Sequence, residues 1–231
     1  MHQLNTFVSR NELDEALAKN VSDVLAEAVE LKGSASLAVS GGSTPKGFFE
    51  ALSSYALPWR KIFITLADER WVDINSDASN TRLVHENLLK NNAVDAKFFH
   101  LKQGDDLSEA VLAELSDAAK HSLLPLDVLI LGMGEDGHTA SIFPCSEQLE
   151  EALDEGNDAA LMKVVPTTAP HERITFTFAS LIESKNTILH IVGENKKVVL
   201  DKALSSTDAK EQPIRAFLHH PTVNTQVFWA E

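Results

Sequence analysis

The sequence has 231 residues, of which 44% are hydrophobic and 23% are charged, a composition typical of ordinary globular proteins. Its net charge of −14 opposes broad attraction to nucleic acid or to an anionic membrane surface. A single cysteine, Cys145, excludes an intramolecular disulfide. No stretch reaches the roughly 18 apolar residues of a membrane span, and the first residues contain no long apolar core. We therefore expect a cytoplasmic protein that binds neither nucleic acid nor membrane.

The N-terminal third predicts a long helix followed by a strand, a turn and a second helix. Ser9 and Glu12 have the spacing of a capping box, and apolar residues recur at helical intervals as far as Gly33. The apolar run SLAV then leads into SGGSTP and KGFFEAL. Pro45 suits the first turn of that second helix.

The rest of the chain continues the alternation of strands and helices. KIFITL predicts a buried strand over 62–66, and a helix follows over 80–90. KFFHL is compatible with another strand, LSEAVLAELSDAAKHSLL has helical spacing, and LDVLIL predicts the next strand. RITFTF and NTILHIVG predict strands, ENKKVVLDKAL predicts a helix, and VFWA predicts the closing strand.

This alternation predicts one α/β domain over residues 1–231, with a mostly parallel sheet flanked by helices on both faces. No repeat or proline-rich linker divides the chain. The segment 145–171 is acidic and turn-prone, so we predict a mobile flap there.

Three predicted strand ends carry polar residues, in the segments SGGSTP, ADER and GMGEDGH. Ligands of parallel α/β sheets gather at such ends. In the first segment, Gly41 and Gly42 allow close backbone approach and Ser43 adds a hydroxyl beside a helix start, which predicts an anion cradle suited to phosphate. An ordinary capped turn is the alternative. The segment lacks the lysine of a P-loop, so we do not expect a nucleoside triphosphate site.

Charged residues near the other strand ends are further candidates. Asp68, Glu69 and Arg70 place two acids and a cation at one strand end. The candidate cations for an anionic ligand are Arg173, Lys196 and Lys197. Taken singly, each of these charges is more typical of a solvated surface residue than of a functional one.

The stretch GMGEDGHTASIFP matches G-x-G-x-x-G after a strand, but a dinucleotide site also needs a long helix and a second strand. Pro144 follows Gly137 too closely for that helix, so we expect no nucleotide cofactor.

The same stretch carries His138 with Asp136 two positions earlier. Such a histidine can accept a proton from water and return it to a leaving oxygen, although a purely structural role is the alternative. No zinc-type spacing is present, and we expect no metal.

Several motifs together resemble a known family. SGGSTP, TLADERWV, SNTR and DVLILGMGEDGHTASIFP occur in this order in 6-phosphogluconolactonases and are similar to the wider group that contains glucosamine-6-phosphate isomerase. The resemblance covers nearly the whole chain. It implies a modified Rossmann-like α/β fold, a sugar-phosphate ligand and no cofactor. It also implies hydrolysis of 6-phospho-D-glucono-1,5-lactone to 6-phosphogluconate in the oxidative pentose phosphate pathway.

The resemblance also implies residue roles. His138 corresponds to the proposed general base of the family. The phosphate-binding candidates are Gly41, Gly42, Ser43, Arg173 and Lys196. From the residues themselves we add Asp136 as the group that orients His138, Arg70 as a cation that helps loop N–H groups to hold the oxyanion, and Asp68 as a substrate-binding acid.

Two alternatives remain beside the lactonase hypothesis. Isomerases of the group usually have a tyrosine after Asp-Glu, where this chain has Arg70, and a glutamate in F-N-E-P-G, where this chain has IFPCSE. A non-catalytic sugar-phosphate sensor would not need the pair Asp136 and His138. We therefore favour the lactonase, with a phosphorylated lactone as its partner and a monomeric or weakly dimeric state.

Overall fold

The computed structural model describes residues 2–231, and only Met1 lies outside it. Its main sheet contains seven strands in the order β1-β10-β9-β6-β2-β3-β5, and all neighbouring strands are parallel. The strands are β1 (His2–Phe7), β2 (Ala35–Val39), β3 (Ile62–Leu66), β5 (Lys97–Phe98), β6 (Val128–Leu131), β9 (Thr187–Val192) and β10 (Thr225–Ala230). The predicted parallel α/β architecture is confirmed.

A second sheet of three antiparallel strands lies beside the carboxyl ends of the first. It contains β4 (Asp68–Arg70), β7 (Leu161–Val164) and β8 (Arg173–Phe176), in the order β4-β8-β7. RITFTF forms the predicted strand, but this strand belongs to the small antiparallel sheet and not to the main parallel sheet. Its residues pair with the short strand that follows β3 after a single residue, Ala67, whose carbonyl accepts a hydrogen bond from Phe176.

Eight α-helices accompany the sheets in the described residues. They are α1 (Arg10–Lys32), α2 (Lys46–Ser53), α3 (Asn80–Asn87), α4 (Glu109–Ser122), α5 (Leu149–Leu153), α6 (Phe178–Ile182), α7 (Glu194–Leu204) and α8 (Ile214–Leu218). The predicted ends of α1 are confirmed: the hydroxyl of Ser9 accepts a hydrogen bond from the Glu12 N–H, and Gly33 terminates the helix with φ of 85°. Only a residue that tolerates this left-handed backbone closes a helix in this way without strain.

The apolar stripe of α1 anchors the helix to the main sheet. Leu13, Leu17, Val21 and Leu25 are fully buried, and the helix packs against β2 and β10. Each fully buried side chain of this kind stabilises the fold by roughly 1.5–3 kcal/mol. The first turn of α1 is thereby held close to the loop that follows β2.

The strand order creates a switch point between β2 and β6. The chain leaves β2 toward β3 on one side, and it leaves β6 toward β9 on the other. The two carboxyl ends are joined by Ser40, whose hydroxyl donates to the Ile130 carbonyl at 3.0 Å and accepts from the Gly132 N–H at 3.0 Å. A crevice at such a point is where open α/β sheets bind ligands.

The segment 145–171 is more regular than its composition suggested. It contains α5 and β7, and β7 pairs along its length with β8. Its mobility stays a prediction, as does the single-domain organisation. Among the described residues, no helix is both long and apolar enough to cross a membrane.

Candidate active site

A cleft of about 540 Å³ opens at the switch point. Eight of the nine candidate residues line it, namely Gly41, Gly42, Ser43, Asp68, Arg70, His138, Arg173 and Lys196. Asp136 is the ninth, and it lies behind His138. Strand ends that are far apart in sequence are therefore brought together, as the parallel sheet predicted.

The turn over residues 40–45 presents hydrogen-bond donors to the cleft. Within residues 2–231, no backbone hydrogen bond uses the N–H groups of residues 41–44. Gly42 has φ of 89°, and a Cβ on Gly41 would lie 1.9 Å from Oδ1 of Asn80. The two glycines are thus required by backbone conformation and by close packing. Unpaired N–H groups at the start of α2 are suited to an anion.

The loop after β6 folds tightly around the ring of His138. The Gly134 N–H donates to the His138 carbonyl at 2.8 Å, and the Gly137 N–H donates to the Gly134 carbonyl at 3.2 Å. A Cβ on Gly134 would lie 2.1 Å from Nδ1 of His138. The next described helix begins only at Leu149. The glycines therefore serve to present the histidine, and the helix that a dinucleotide site needs is absent from residues 132–148.

His138 and Asp136 form a hydrogen-bonded pair. Nδ1 of His138 lies 2.6 Å from Oδ1 of Asp136, and the ring of His138 stacks on Phe143 with 4.2 Å between centroids. Burial acts to raise the pKa of Asp136, but the hydrogen bond and charge of His138 outweigh it, so this pKa lies below its ordinary value. Because a carboxylate only accepts hydrogen bonds, Nδ1 carries the proton in this pair, and in the neutral tautomer the lone pair lies on Nε2.

Two arginines face each other across the pair of strands β4 and β8. Arg70 and Arg173 are direct partners in the ladder. Arg70 donates to the Ala78 carbonyl at 2.6 Å, and Arg173 donates to the Pro170 carbonyl at 3.1 Å. In the described part of the chain, Nε of each arginine is buried without a hydrogen-bond partner. The cleft therefore holds two guanidinium groups with unused donors.

The environment of Arg173 is strongly desolvating. Burial lowers the pKa of Arg173, the charge of Asp68 opposes that shift and the charge of Arg70 adds to it. Asp68 is itself buried and accepts a hydrogen bond from the Ser141 hydroxyl at 2.5 Å. An arginine stays protonated under such shifts, so the cleft retains its cations.

Glu69 belongs to the fold rather than to the cleft. It is 1% exposed, and its carboxylate accepts hydrogen bonds from the N–H groups of Arg70, Asn80 and Thr81 at 2.7–2.8 Å. The last two groups belong to the first turn of α3, so Glu69 caps that helix. Of the three charged residues over 68–70, only Asp68 and Arg70 reach the cleft.

The two neighbouring lysines of α7, Lys196 and Lys197, differ in their surroundings. Lys196 lines the cleft, and within residues 2–231 no carboxylate lies within 4.0 Å of its Nζ. Lys197 pairs with Asp201 at 2.6 Å and lies over the ring of Trp229. Lys196 is therefore the lysine available to a ligand.

The sequence analysis missed several residues of the cleft wall. His190 was not among the candidates, but it is 3% exposed and lines the cleft. Burial, with a smaller effect of the Arg10 charge, lowers the pKa of His190 to about 3, so it is neutral. His171 lines the cleft with φ of 71°, and Asn80 packs over Gly41. Only the position of His190 near the carboxyl end of a strand could have indicated its place.

The described residues contain no group of three or more histidine, cysteine or acidic side chains that could hold a metal ion.

The sequence model of the family "Glucosamine-6-phosphate isomerases/6-phosphogluconolactonase" matches residues 8–229. The chain belongs to this family.

Relatives in the family match over the full chain. The 6-phosphogluconolactonase of Rhizobium meliloti is 46% identical over 227 residues, which are 98% of either protein. The 6-phosphogluconolactonase of Neisseria meningitidis serogroup A is 45% identical over 95% of either protein. The crystal structure of a 6-phosphogluconolactonase from Shewanella baltica has a TM-score of 0.96 at 44% identity, with 100% of this chain and 98% of that chain covered.

Proposed function

We propose that this member of the family hydrolyses 6-phospho-D-glucono-1,5-lactone to 6-phosphogluconate, in the oxidative pentose phosphate pathway. Full-length relatives carry the name 6-phosphogluconolactonase. The observation that carries the mechanism is the hydrogen bond between Nδ1 of His138 and Asp136, which leaves Nε2 as the ring nitrogen that can accept a proton in a cleft lined by cations and free N–H groups. An ester carbonyl, a water molecule and a phosphate have chemically matched partners there.

In the proposed chemical step, Nε2 of His138 accepts a proton from a water molecule as the water oxygen attacks the lactone carbonyl carbon. The proton held on Nδ1 stays hydrogen-bonded to Asp136, whose negative charge stabilises the imidazolium. General-base catalysis of this kind contributes about 10²–10⁴-fold. Because the lactone already reacts with water, this help together with positioning suffices.

The tetrahedral intermediate carries a negative charge on the former carbonyl oxygen. We assign its stabilisation to loop N–H groups and to Arg70, whose Nε is buried without a partner in the described chain. Collapse of the intermediate breaks the bond from the carbonyl carbon to the ring oxygen. Nε2 of His138 returns its proton to that oxygen, and the product carboxylic acid then ionises. No covalent enzyme intermediate is needed.

The phosphate is assigned to the opposite end of the cleft. The N–H groups of Gly41, Gly42 and Ser43 supply fixed donors, and Arg173 and Lys196 supply charge. Asp68 completes the polar wall as a candidate for the substrate hydroxyls. These cations matter because the chain as a whole carries −14 and repels an anionic substrate at long range.

The same cleft disfavours the isomerase alternative, in which the sugar ring opens and the amine is lost. Arg70 stands where that branch usually has a tyrosine, and the segment IFPCSE lacks the expected glutamate. A sensor that only binds the sugar phosphate would not need the hydrogen bond between His138 and Asp136. We further propose a cytoplasmic, monomeric or weakly dimeric enzyme that requires no cofactor.

The reaction class is tested by acid release in a pH-stat with freshly generated 6-phosphogluconolactone, corrected for spontaneous hydrolysis. Glucosamine 6-phosphate is the comparison substrate, followed by ammonia release. The proposal predicts rapid acid release and no ammonia. Ammonia release would establish the isomerase alternative, and binding of 6-phosphogluconate without turnover would establish the sensor.

A further inference from the structure

Arg10 binds the back of the phosphate turn although it does not line the cleft. It lies at the start of α1, and its guanidinium NH2 group donates to the Ser43 carbonyl at 2.9 Å and to the Thr44 carbonyl at 2.8 Å. In a planar trans peptide the C=O and N–H point in opposite directions. Holding the Ser43 carbonyl therefore directs the Thr44 N–H away from Arg10.

A buried carboxylate lies beneath the same turn. Asp14 lies one helical turn after Arg10, and the backbone N–H of Phe48 at the start of α2 acts to lower its pKa. A Cβ on Gly47 would lie 2.0 Å from its Oδ2. Its Oδ1 lies 3.6 Å from Nε2 of His190. A negative charge thus occupies the helix start that an anionic ligand would use.

Arg10 is placed to offset that charge. Its Nε lies 3.8 Å from Oδ2 of Asp14, and His190, the other group near the carboxylate, is neutral. The remaining charged neighbour that affects Asp14 is Glu15, which carries the same sign as Asp14. Without Arg10, the turn would have both unheld carbonyls and an uncompensated carboxylate behind it.

We propose that Arg10 is a positioning residue that determines the preference for a phosphorylated lactone. Through the Ser43 carbonyl it directs the Thr44 N–H, which follows the proposed donors 41–43, away from α1. It also holds the end of the turn through the Thr44 carbonyl, and it neutralises Asp14. This inference rests on the proposed phosphate role of residues 41–43.

The test compares Arg10→Gln with Arg60→Gln. Arg60 is an exposed arginine paired with Asp95 at 3.1 Å on the surface, so both variants make the same change in net charge. For Arg10→Gln we expect KM for the phosphorylated lactone to rise about tenfold, because charge-assisted hydrogen bonds are lost. We expect kcat within about twofold of wild type and an unchanged KM for unphosphorylated glucono-1,5-lactone. Arg60→Gln should match wild type.

Further outcomes separate a specific effect from a structural one. Arg10→Lys keeps the charge and should recover much of the phosphate preference. The inference is overturned if Arg10→Gln keeps the wild-type preference, if Arg60→Gln loses it equally, or if Arg10→Gln lowers kcat for both lactones alike. A wild-type enzyme without any preference for the phosphorylated lactone would instead overturn the proposed phosphate role of the turn.

Discussion

The phosphate turn over residues 40–45 and the loop over residues 132–143 leave neighbouring parallel strands at the same edge of the sheet, yet they are built differently. The turn contains no titratable side chain and keeps four N–H groups without backbone partners in the described chain. The loop is cross-linked by its own backbone, by the Thr139 hydroxyl on the Gly132 carbonyl, and by the Ile214 N–H on the Gly137 carbonyl. Fixed dipoles suffice to hold an anion, whereas proton transfer needs one side chain in one orientation.

The largest effect should follow from removing the imidazole. His138→Ala should lower kcat by about 10²–10⁴-fold, because the proposed general base for the attacking water is lost. The measurement is acid release at saturating lactone. His121→Ala, an exposed histidine of α4, is the matched control and should be unaffected. Turnover by His138→Ala above a tenth of the wild-type value would remove the loop from the chemistry.

A smaller loss is expected from the carboxylate behind the imidazole. Asp136→Asn keeps the size of the side chain but no longer stabilises an imidazolium, so kcat should fall about 10- to 100-fold. The pair is partly exposed, which places the loss below that of a buried triad. Glu135→Gln, an exposed neighbour, serves as control. Equal kcat values for Asp136→Asn and Glu135→Gln would show that Asp136 has no part in the reaction.

The phosphate end should respond in KM instead. Lys196→Gln should raise KM for the phosphorylated lactone about tenfold and leave kcat nearly unchanged, since one positive charge that attracts the phosphate is lost. Lys197→Gln changes the net charge equally but removes a lysine paired with Asp201. Saturation kinetics of the two variants side by side should separate them. If both raise KM alike, the effect belongs to the overall charge of the chain.

The smallest effect concerns stability beneath the turn. Burial raises the pKa of Asp14 to about 6 from its ordinary value of 3.8, despite the opposing charge of Arg10. Folding therefore favours the protonated form, and this stability is present below pH 4 and lost as the pH rises through 6. The side chain introduced by Asp14→Asn does not titrate, so this variant is the reference.

Urea unfolding at pH 4.5 and pH 7.5 measures this difference. Between these values the wild type should lose about 2 kcal/mol of unfolding free energy relative to Asp14→Asn, after the contribution common to both proteins cancels. A wild-type-to-variant difference that is the same at both pH values would show that Asp14 is ionised in the fold at both.

The sequence predicted the parts of the fold that are set by local signals. The capping pattern at Ser9 and Glu12 and the terminator Gly33 placed α1 correctly. Strand β1 was missed, because the polar residues of HQLNTF lie at the exposed edge of the sheet and its partner β10 comes from the other end of the chain. β7 was missed for a similar reason, since its partner β8 fixes it and its neighbourhood is acidic.

The candidate cleft could be assembled from sequence because three polar segments each follow a strand, and parallel strands end at one edge. The residues that support the cleft from behind could not be predicted in this way. Arg10 and Asp14 lie in a helix whose pattern explains them as surface positions, and His190 lies inside an apolar strand. Their contacts depend on how α1 packs against the turn and β9, which local patterns do not contain.

The most direct test of the division between the two regions is the binding of 6-phosphogluconate to His138→Ala by titration calorimetry. The phosphate turn and its cations are untouched in this variant, so the dissociation constant should stay within about threefold of the wild-type value while turnover is lost. A dissociation constant weakened in proportion to the loss of kcat would contradict the assignment of chemistry to the His138 loop and of anion binding to the turn.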